Sequence, residues 1–317
     1  MGRLADTRFA SSPRQLGIAG WWRVLKRTAG HINEHRLFLT SAGVAFYGFM
    51  SLFPALAALV FVYGLVTDTG DLQRHMELIS GTLPDSAISV ITSRLEKVVE
   101  ASNSTGVGVG LLVSLIITFW SASRGVAALV EIIGVAYRQV DSRSIIQSAA
   151  LSLILTIGIL VMLLFTLSAV AGLPVVISFL PLPDTVQEIL LLGRWPIILL
   201  AVCASLVVLY RLAPDRRMAR IRWVVPGALM ATVLWGVMSA AFSIYVENFS
   251  NYEATFGAIA SVIILMLWLN YSVLIITLGA ELNAELELVT RLDTTTAPIM
   301  PMGKRGAVVA DRIKPLD

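Results

Sequence analysis

Only one cysteine, Cys203, occurs in the chain. That excludes an intrachain disulfide framework and any zinc module built on paired cysteines. Histidine is nearly as scarce, with three residues, and charged residues make up 14% against about 25% in ordinary soluble domains. Serine-hydrolase, P-loop and dinucleotide fingerprints are missing as well, so the protein is not expected to be an enzyme and no cofactor is expected. The first 36 residues hold seven Lys and Arg and no apolar core, so no cleavable signal peptide is expected.

What the chain has in abundance is apolar sequence, 56% of residues, gathered into six long runs. They cover approximately 42–66, 106–122, 145–170, 195–210, 223–246 and 257–280. Five reach, and the fourth at 16 residues falls one short of, the roughly 17 residues that a hydrocarbon core of about 30 Å requires of a helix rising 1.5 Å per residue. The expected fold is therefore all-α, a polytopic membrane protein with six transmembrane helices. Lys and Arg set its orientation. Alternate connecting segments hold 20 of the 24 basic residues on one side and four on the other, which places both termini in the cytoplasm. The calculated pI of 9.2 needs no nucleic-acid partner, because the basic residues lie in the loops that topology already explains.

Three parts follow. Residues 1–41 form a cytoplasmic segment whose stretch 20–39 reads as a basic amphipathic helix, with Trp21, Trp22, Val24 and Leu25 suited to lipid and Arg23, Lys26 and Arg27 to headgroups. Residues 42–288 form the membrane domain. Its external loop, 67–105, carries Pro84 and Asp85 as a helix start, followed by an amphipathic pattern. Residues 289–317 read as a disordered cytoplasmic tail.

The candidate functional residues are the polar ones inside or beside apolar sequence. Arg124, Glu131 and Arg138 are spaced seven apart on one helical stripe among small residues. This is either a polar seam at the cytoplasmic mouth of the bundle or a helix lying along the inner membrane surface. Asn270, Thr277 and Glu281 share a face of the sixth run, and Glu281 is expected to pair with Arg124 or Arg138. Pro54, in Ser51-Leu52-Phe53-Pro54, frees a carbonyl and bends the first span, a candidate hinge. Arg211, Arg216 and Arg217 lie in a tight turn where they either contact phosphate headgroups or merely anchor the topology.

His31-Ile-Asn-Glu34-His35 matches H-x-x-E-H, in which two histidines one helical turn apart hold zinc. The remaining histidine, His75, falls in the external loop, so a third ligand would have to be a carboxylate. No metal site is expected on so short a match.

Several motifs occur together in order: Ala45-Phe46-Tyr47 with Ser51-Leu52-Phe53-Pro54; Trp120-Ser121-Ala122-Ser123-Arg124-Gly125 leading to Tyr137-Arg138; Leu209-Tyr210-Arg211 with Pro214; Pro226-Gly227; and Tyr252 through Gly257 with Leu278-Gly279-Ala280-Glu281. On these the chain resembles the YihY/BrkB family of bacterial inner-membrane proteins across about residues 30–288. Phe46 and Phe256 stand where the family favours tyrosine, and both keep the ring. The resemblance implies six spans with cytoplasmic termini and a role in envelope integrity, with lipid or lipid-like cargo. The family has also carried a ribonuclease BN label, for which this sequence offers no catalytic histidine pair and no soluble domain.

The expected function is movement of a phospholipid or another anionic amphiphile across or out of the membrane, with membrane lipids and other envelope proteins as partners. The alternatives are a non-transporting scaffold for envelope assembly and a proton-coupled exporter of small solutes, with Glu281 or Glu131 taking the proton.

Overall fold

The structure, a computed structural model, describes residues 9–66, 105–178, 180, 182–248 and 258–314. The described residues are helical apart from turns, and only one isolated bridge, Ala219 with Thr295, pairs extended backbone. The helices are α1 (Gly17–Glu34), α2 (Leu37–Val66), α3 (Thr105–Ala136), α4 (Ile145–Leu167), the short α5 (Leu173–Ser178), α6 (Asp184–Leu212), α7 (Ile221–Asn248) and α8 (Ala258–Glu287). Among the described residues five stretches, Leu115–Ala136, Ile145–Val170, Asp184–Leu212, Ile221–Val246 and Val262–Glu287, are long and apolar enough to cross a membrane. The chain is thus an all-α, multi-pass membrane protein. The first apolar run is also helical, over the 30 residues of α2, with Pro54 inside it. The external loop, with Pro84 and Asp85, falls outside the described residues.

The chain divides into two compact units, Met1–Phe46 with Gly125–Asp317, and Tyr47–Arg124. In the smaller unit α3 presents Leu112, Ile116 and Trp120 outward, as a lipid-facing helix should. Ser51 donates its hydroxyl to the Gly48 carbonyl at 2.7 Å.

In the larger unit α7 packs on α8 through small residues. Ala228, Ala231 and Ala280 are wholly buried, and the two backbones meet at Gly227 and Gly279. A Cβ on Gly279 would overlap the Tyr210 hydroxyl and the Gly227 carbonyl. Without a hydrophobic driving force in lipid, such close approach supplies the packing that holds spans together. The Asn283 side chain accepts from the Gly227 N–H at 2.8 Å, and the Tyr210 hydroxyl donates to the Ile276 carbonyl at 2.6 Å, tying α6 to α8. At the start of α4, Ser144 and Gln147 form a capping box, each side chain meeting the other's backbone N–H.

Two expectations about the ends give way here. The amphipathic helix α1 turns Gly20, Val24, Thr28 and His31 onto the protein itself rather than onto lipid. Val24 packs with Trp223, Leu282 and Leu286, each such burial contributing ~1.5–3 kcal/mol. Ile18 and Trp22 remain exposed and keep the interfacial character. The segment after α8, expected to be disordered, is packed through residue 314. Arg305 donates to the carbonyls of Arg291, Leu292, Met300 and Ala310, while Arg217 and Arg220 of the α6–α7 turn donate to those of Thr295, Thr296 and Pro298. The tail is held by side-chain bonds to its backbone, from Arg305 within it and from Arg217 and Arg220 of the turn, and by Val309, which is buried in the core. Burial opposes charge on Asp293, but hydrogen bonds from the N–H of Met300 and from Thr295 outweigh it and hold its carboxyl below the ordinary range.

Two outcomes check this packing. Gly279→Ala is expected to lower the melting temperature of the detergent-solubilised protein, through overpacking of about 1–3 kcal/mol; Gly193→Ala, where a Cβ meets nothing within 4 Å, should be neutral or slightly stabilising. A folded-state pKa below the unfolded value means that Asp293 stabilises the tail above its unfolded pKa of about 3.9 and ceases to do so as pH falls through the folded value. Protection factors of the amides of 293–311, corrected for the intrinsic exchange rate at each pH, should therefore fall on acidification, and Asp293→Asn should lower them already at neutral pH.

Candidate functional site: a buried carboxylate cluster at the end of α8

The last turns of α8 and the residues after it, 280–290, are buried on every side. Three carboxylates, Glu281, Glu285 and Glu287, lie in this stretch with no exposed surface. A buried ion costs several kcal/mol of desolvation unless it is paired, so each demands a partner. Three other segments bring them. Glu281 meets His35 Nδ1, just past α1. Glu285 Oε1 lies 2.6 Å from an Arg138 nitrogen and 3.1 Å from His31 Nε2. Glu287 Oε1 accepts from Arg216 at 2.6 Å, while its Oε2 accepts from the Thr294 hydroxyl at 2.6 Å.

Local structure aims each partner. His31 and His35 stand one helical turn apart, so their rings stack with centroids 5.0 Å apart. Glu34, largely exposed, accepts from His31 Nδ1 at 2.8 Å, and that bond holds its carboxyl below the ordinary range. Helix α3 ends in a Schellman motif, in which the Arg138 N–H bonds the Val135 carbonyl and the Gln139 N–H bonds the Gly134 carbonyl. The left-handed residue of that motif, ordinarily glycine, is Arg138 at φ 54°. The chain accepts that backbone cost where it turns a guanidinium onto Glu285. Arg216 is 1% exposed and lies over the Tyr137 ring at 4.5 Å. Burial opposes its charge, yet the Glu287 carboxylate beside it raises its pKa above the ordinary guanidinium value.

The structure redistributes the residues singled out in the sequence. Arg138 pairs with Glu285, and Glu281 with His35, in place of an ion pair between Arg138 and Glu281. Arg124 belongs to the smaller unit, where it lies over Trp120 at 5.5 Å. Asn270 is eleven residues before Glu281, about 16 Å along the helix, and its Oδ1 is buried without a partner. Glu131 is exposed and lines a separate cleft with Asp141 and Asp215. The arginines considered for headgroups turn inward. Arg216 is buried on Glu287, Arg211 donates to the Ala219 carbonyl at 3.1 Å, and Arg217 donates to those of Thr296 and Pro298. Pro54 sits within α2.

Sequence reasoning missed Glu285, Glu287, His31 and His35 as partners. The signal was present in Ala280-Glu-Leu-Asn-Ala-Glu-Leu-Glu287, where Glu281 and Glu285, four apart, share one helix face and Glu287 lies on another, with leucine and alanine between them. A turn with acids on two faces and apolar residues between them calls for basic partners from more than one segment.

Substituting Arg138 separates two effects. Glycine at a left-handed C-terminal position ordinarily stabilises by relieving the backbone; here Arg138→Gly should destabilise by a net 2 kcal/mol or so, because it strands the buried Glu285 carboxylate. Denaturation in detergent reads the sign, and a rise in stability would show the ion pair to be idle.

Comparison with known proteins accords with this architecture. The family model described as virulence factor BrkB matches residues 28–299. The chain is similar to a protein of Bacillus subtilis (strain 168) named putative ribonuclease-like protein YfkH, with 33% identity over 82% of this chain and 94% of that one. It is similar also to UPF0761 membrane proteins of Idiomarina loihiensis, with 27% identity over 83% of this chain and 90% of that one, and of Aliivibrio salmonicida, with 27% identity over 80% of each. No solved structure matches. A multi-pass helical bundle whose sequence fits that family model from the end of α1 into the C-terminal tail belongs to the BrkB family of membrane proteins.

Proposed function

We propose that the protein resides in the bacterial inner membrane, with six spans and both termini cytoplasmic, and moves or helps to move an amphiphilic lipid across or out of that membrane. One observation carries the reading. A cleft of about 440 Å³ opens between α3, the start of α4 and the α6–α7 turn. This lies within the roughly 300–1,000 Å³ of small-molecule sites and suits a headgroup. Val130, Val135 and Val140 make its apolar part, and Glu131, Asp141, Ser148 and Asp215 its polar part. Asp215 is held in place by the Ser142 hydroxyl and N–H, at 2.6 and 2.8 Å, and Arg143 lies 3.4 Å away. Three carboxylates in a cleft that an arginine borders favour a headgroup with an amine beside its phosphate. Of the cargoes expected from the sequence, a phospholipid or another anionic amphiphile, the zwitterionic phospholipid fits this lining better than a purely anionic molecule.

A second reading, a non-transporting scaffold for envelope assembly, is favoured by a different observation. Arg138, Arg211, Arg216 and Arg217 all engage internal partners, so the polar groups at this end bind the protein to itself.

Leaflet exchange of fluorescent phosphatidylethanolamine in liposomes separates the two. The wild-type protein should accelerate exchange, Ala127→Trp should suppress it by filling the cleft, and Glu131→Gln should shift preference from phosphatidylethanolamine towards phosphatidylglycerol. Exchange no faster than in protein-free liposomes, with the protein folded and inserted, would favour the scaffold.

A further inference from the structure

We propose that His31, His35 and Glu281 bind a divalent transition-metal ion of the zinc class, which clamps the end of α1 to the end of α8. The two histidines of the H-x-x-E-H match lacked a third ligand in sequence, and the fold supplies one from 246 residues further along. One donor atom from each of the three lies within 4.8 Å of the others. Two imidazoles and a carboxylate form the three-ligand set of zinc sites that keep a fourth position for water or another donor. The set suits neither calcium nor magnesium, which take oxygen ligands almost exclusively.

The hydrogen bonds around His31 point the same way. Arg138, which can only donate, lies 3.1 Å from His31 Nε2, so that nitrogen must be the acceptor. The proton then sits on Nδ1 and is given to Glu34, the arrangement in which a carboxylate orients a metal-binding imidazole. But Glu285 Oε1 also lies 3.1 Å from Nε2, and two lone pairs then face each other. Protonating Nε2 satisfies Glu285 and turns the Arg138 contact into one between two donors. No assignment of protons on His31 satisfies every neighbour. A cation bound to Nε2 takes that lone pair and turns Glu285 Oε1 towards positive charge, and Arg138 then keeps only its 2.6 Å bond to Glu285.

Charge and burial agree. Glu285 pairs with Arg138 and Glu287 with Arg216, which leaves Glu281 as the buried carboxylate of the three with no arginine against it; a divalent ion held between Glu281 and the two imidazoles supplies positive charge there. Glu281 Oε2 and Glu285 Oε2 are buried without a hydrogen-bond partner, and both stand beside the three ligands. Glu34 is engaged in orienting His31, so the site reads as a structural clamp, not a hydrolytic centre.

The test uses the untagged full chain in detergent, stripped with chelator and then given Zn2+ or Co2+. About one equivalent of Zn2+ should survive dialysis and raise the melting temperature, and Co2+ should give the visible d–d absorption of a four-coordinate nitrogen–oxygen site. His31→Gln/His35→Gln should weaken binding by at least about tenfold, while His75→Gln leaves it unchanged. Should the double variant fail to fold, the wild-type protein still decides. Bound Zn2+ should shield His31 and His35, and not His75, from diethyl pyrocarbonate, read by peptide mass spectrometry. Absence of binding by the wild-type chain, equal binding by the double variant, or modification of His31 and His35 undiminished by Zn2+ would overturn the proposal.

Discussion

Three carboxylates without solvent at the end of α8 are the constraint around which this end of the protein is built. Removing an ion from water costs several kcal/mol even after the surroundings relax, and the cost is offset only where a partner of opposite charge is well placed. Glu281, Glu285 and Glu287 therefore recruit a different segment each: the end of α1, the end of α3 and the α6–α7 turn. The consequences spread outward. Helix α1 must lie along α8 for its histidines to arrive, which buries Val24 against Leu282 and Leu286. Arg138 must adopt a left-handed backbone. The tail must return so that Thr294 reaches Glu287 and its carbonyls reach Arg217 and Arg220.

That arrangement divides the larger unit into two kinds of packing. Along the spans, α7 and α8 are joined by alanine and glycine at close range, with isolated bonds such as Trp235 Nε1 to the Ser272 hydroxyl at 3.2 Å. Such contacts depend on shape and are individually weak, about 0.6 kcal/mol for an average interhelical hydrogen bond in a membrane. At the end of α8 the contacts are charged and directional, and they join segments distant in sequence. The first kind holds the spans by close fit, whereas the second fixes one end through charge. A cleft bordered by α3, α4 and the α6–α7 turn adjoins that fixed end, since Arg138 follows α3 and Arg216 follows Asp215.

The apolar spans were legible because twenty or so apolar residues in a row have few other uses, and helices α3, α4, α6, α7 and α8 each overlap an expected run, although the span-long stretch of α3, Leu115–Ala136, lies further along the chain than 106–122 and that of α6 begins at Asp184. The amphipathic α1 was legible as a helix, but its destination was not, since Val24 and Trp21 suit a lipid surface and a protein groove equally well. Order in the tail was hidden for a different reason. Its stability comes from Arg305, Asp293 and Asp311 bonding backbone groups, which leaves no periodic pattern to read. The carboxylate cluster was half visible. Glu281 stood out because it follows an apolar run, while His31 and His35 belonged to a motif that lacked a third member until the fold placed α1 beside α8.

The most direct measurement is a double-mutant cycle on Arg216 and Glu287, with each replaced by methionine singly and together, and stability followed by denaturation in detergent. Pairing under burial requires that either single substitution cost about 3–5 kcal/mol and that the double variant recover much of that loss, since a well-packed apolar pair leaves no stranded charge. Losses that simply add, with the double variant as unstable as the two singles combined, would contradict the claim that compensation of buried carboxylates organises this end of the protein.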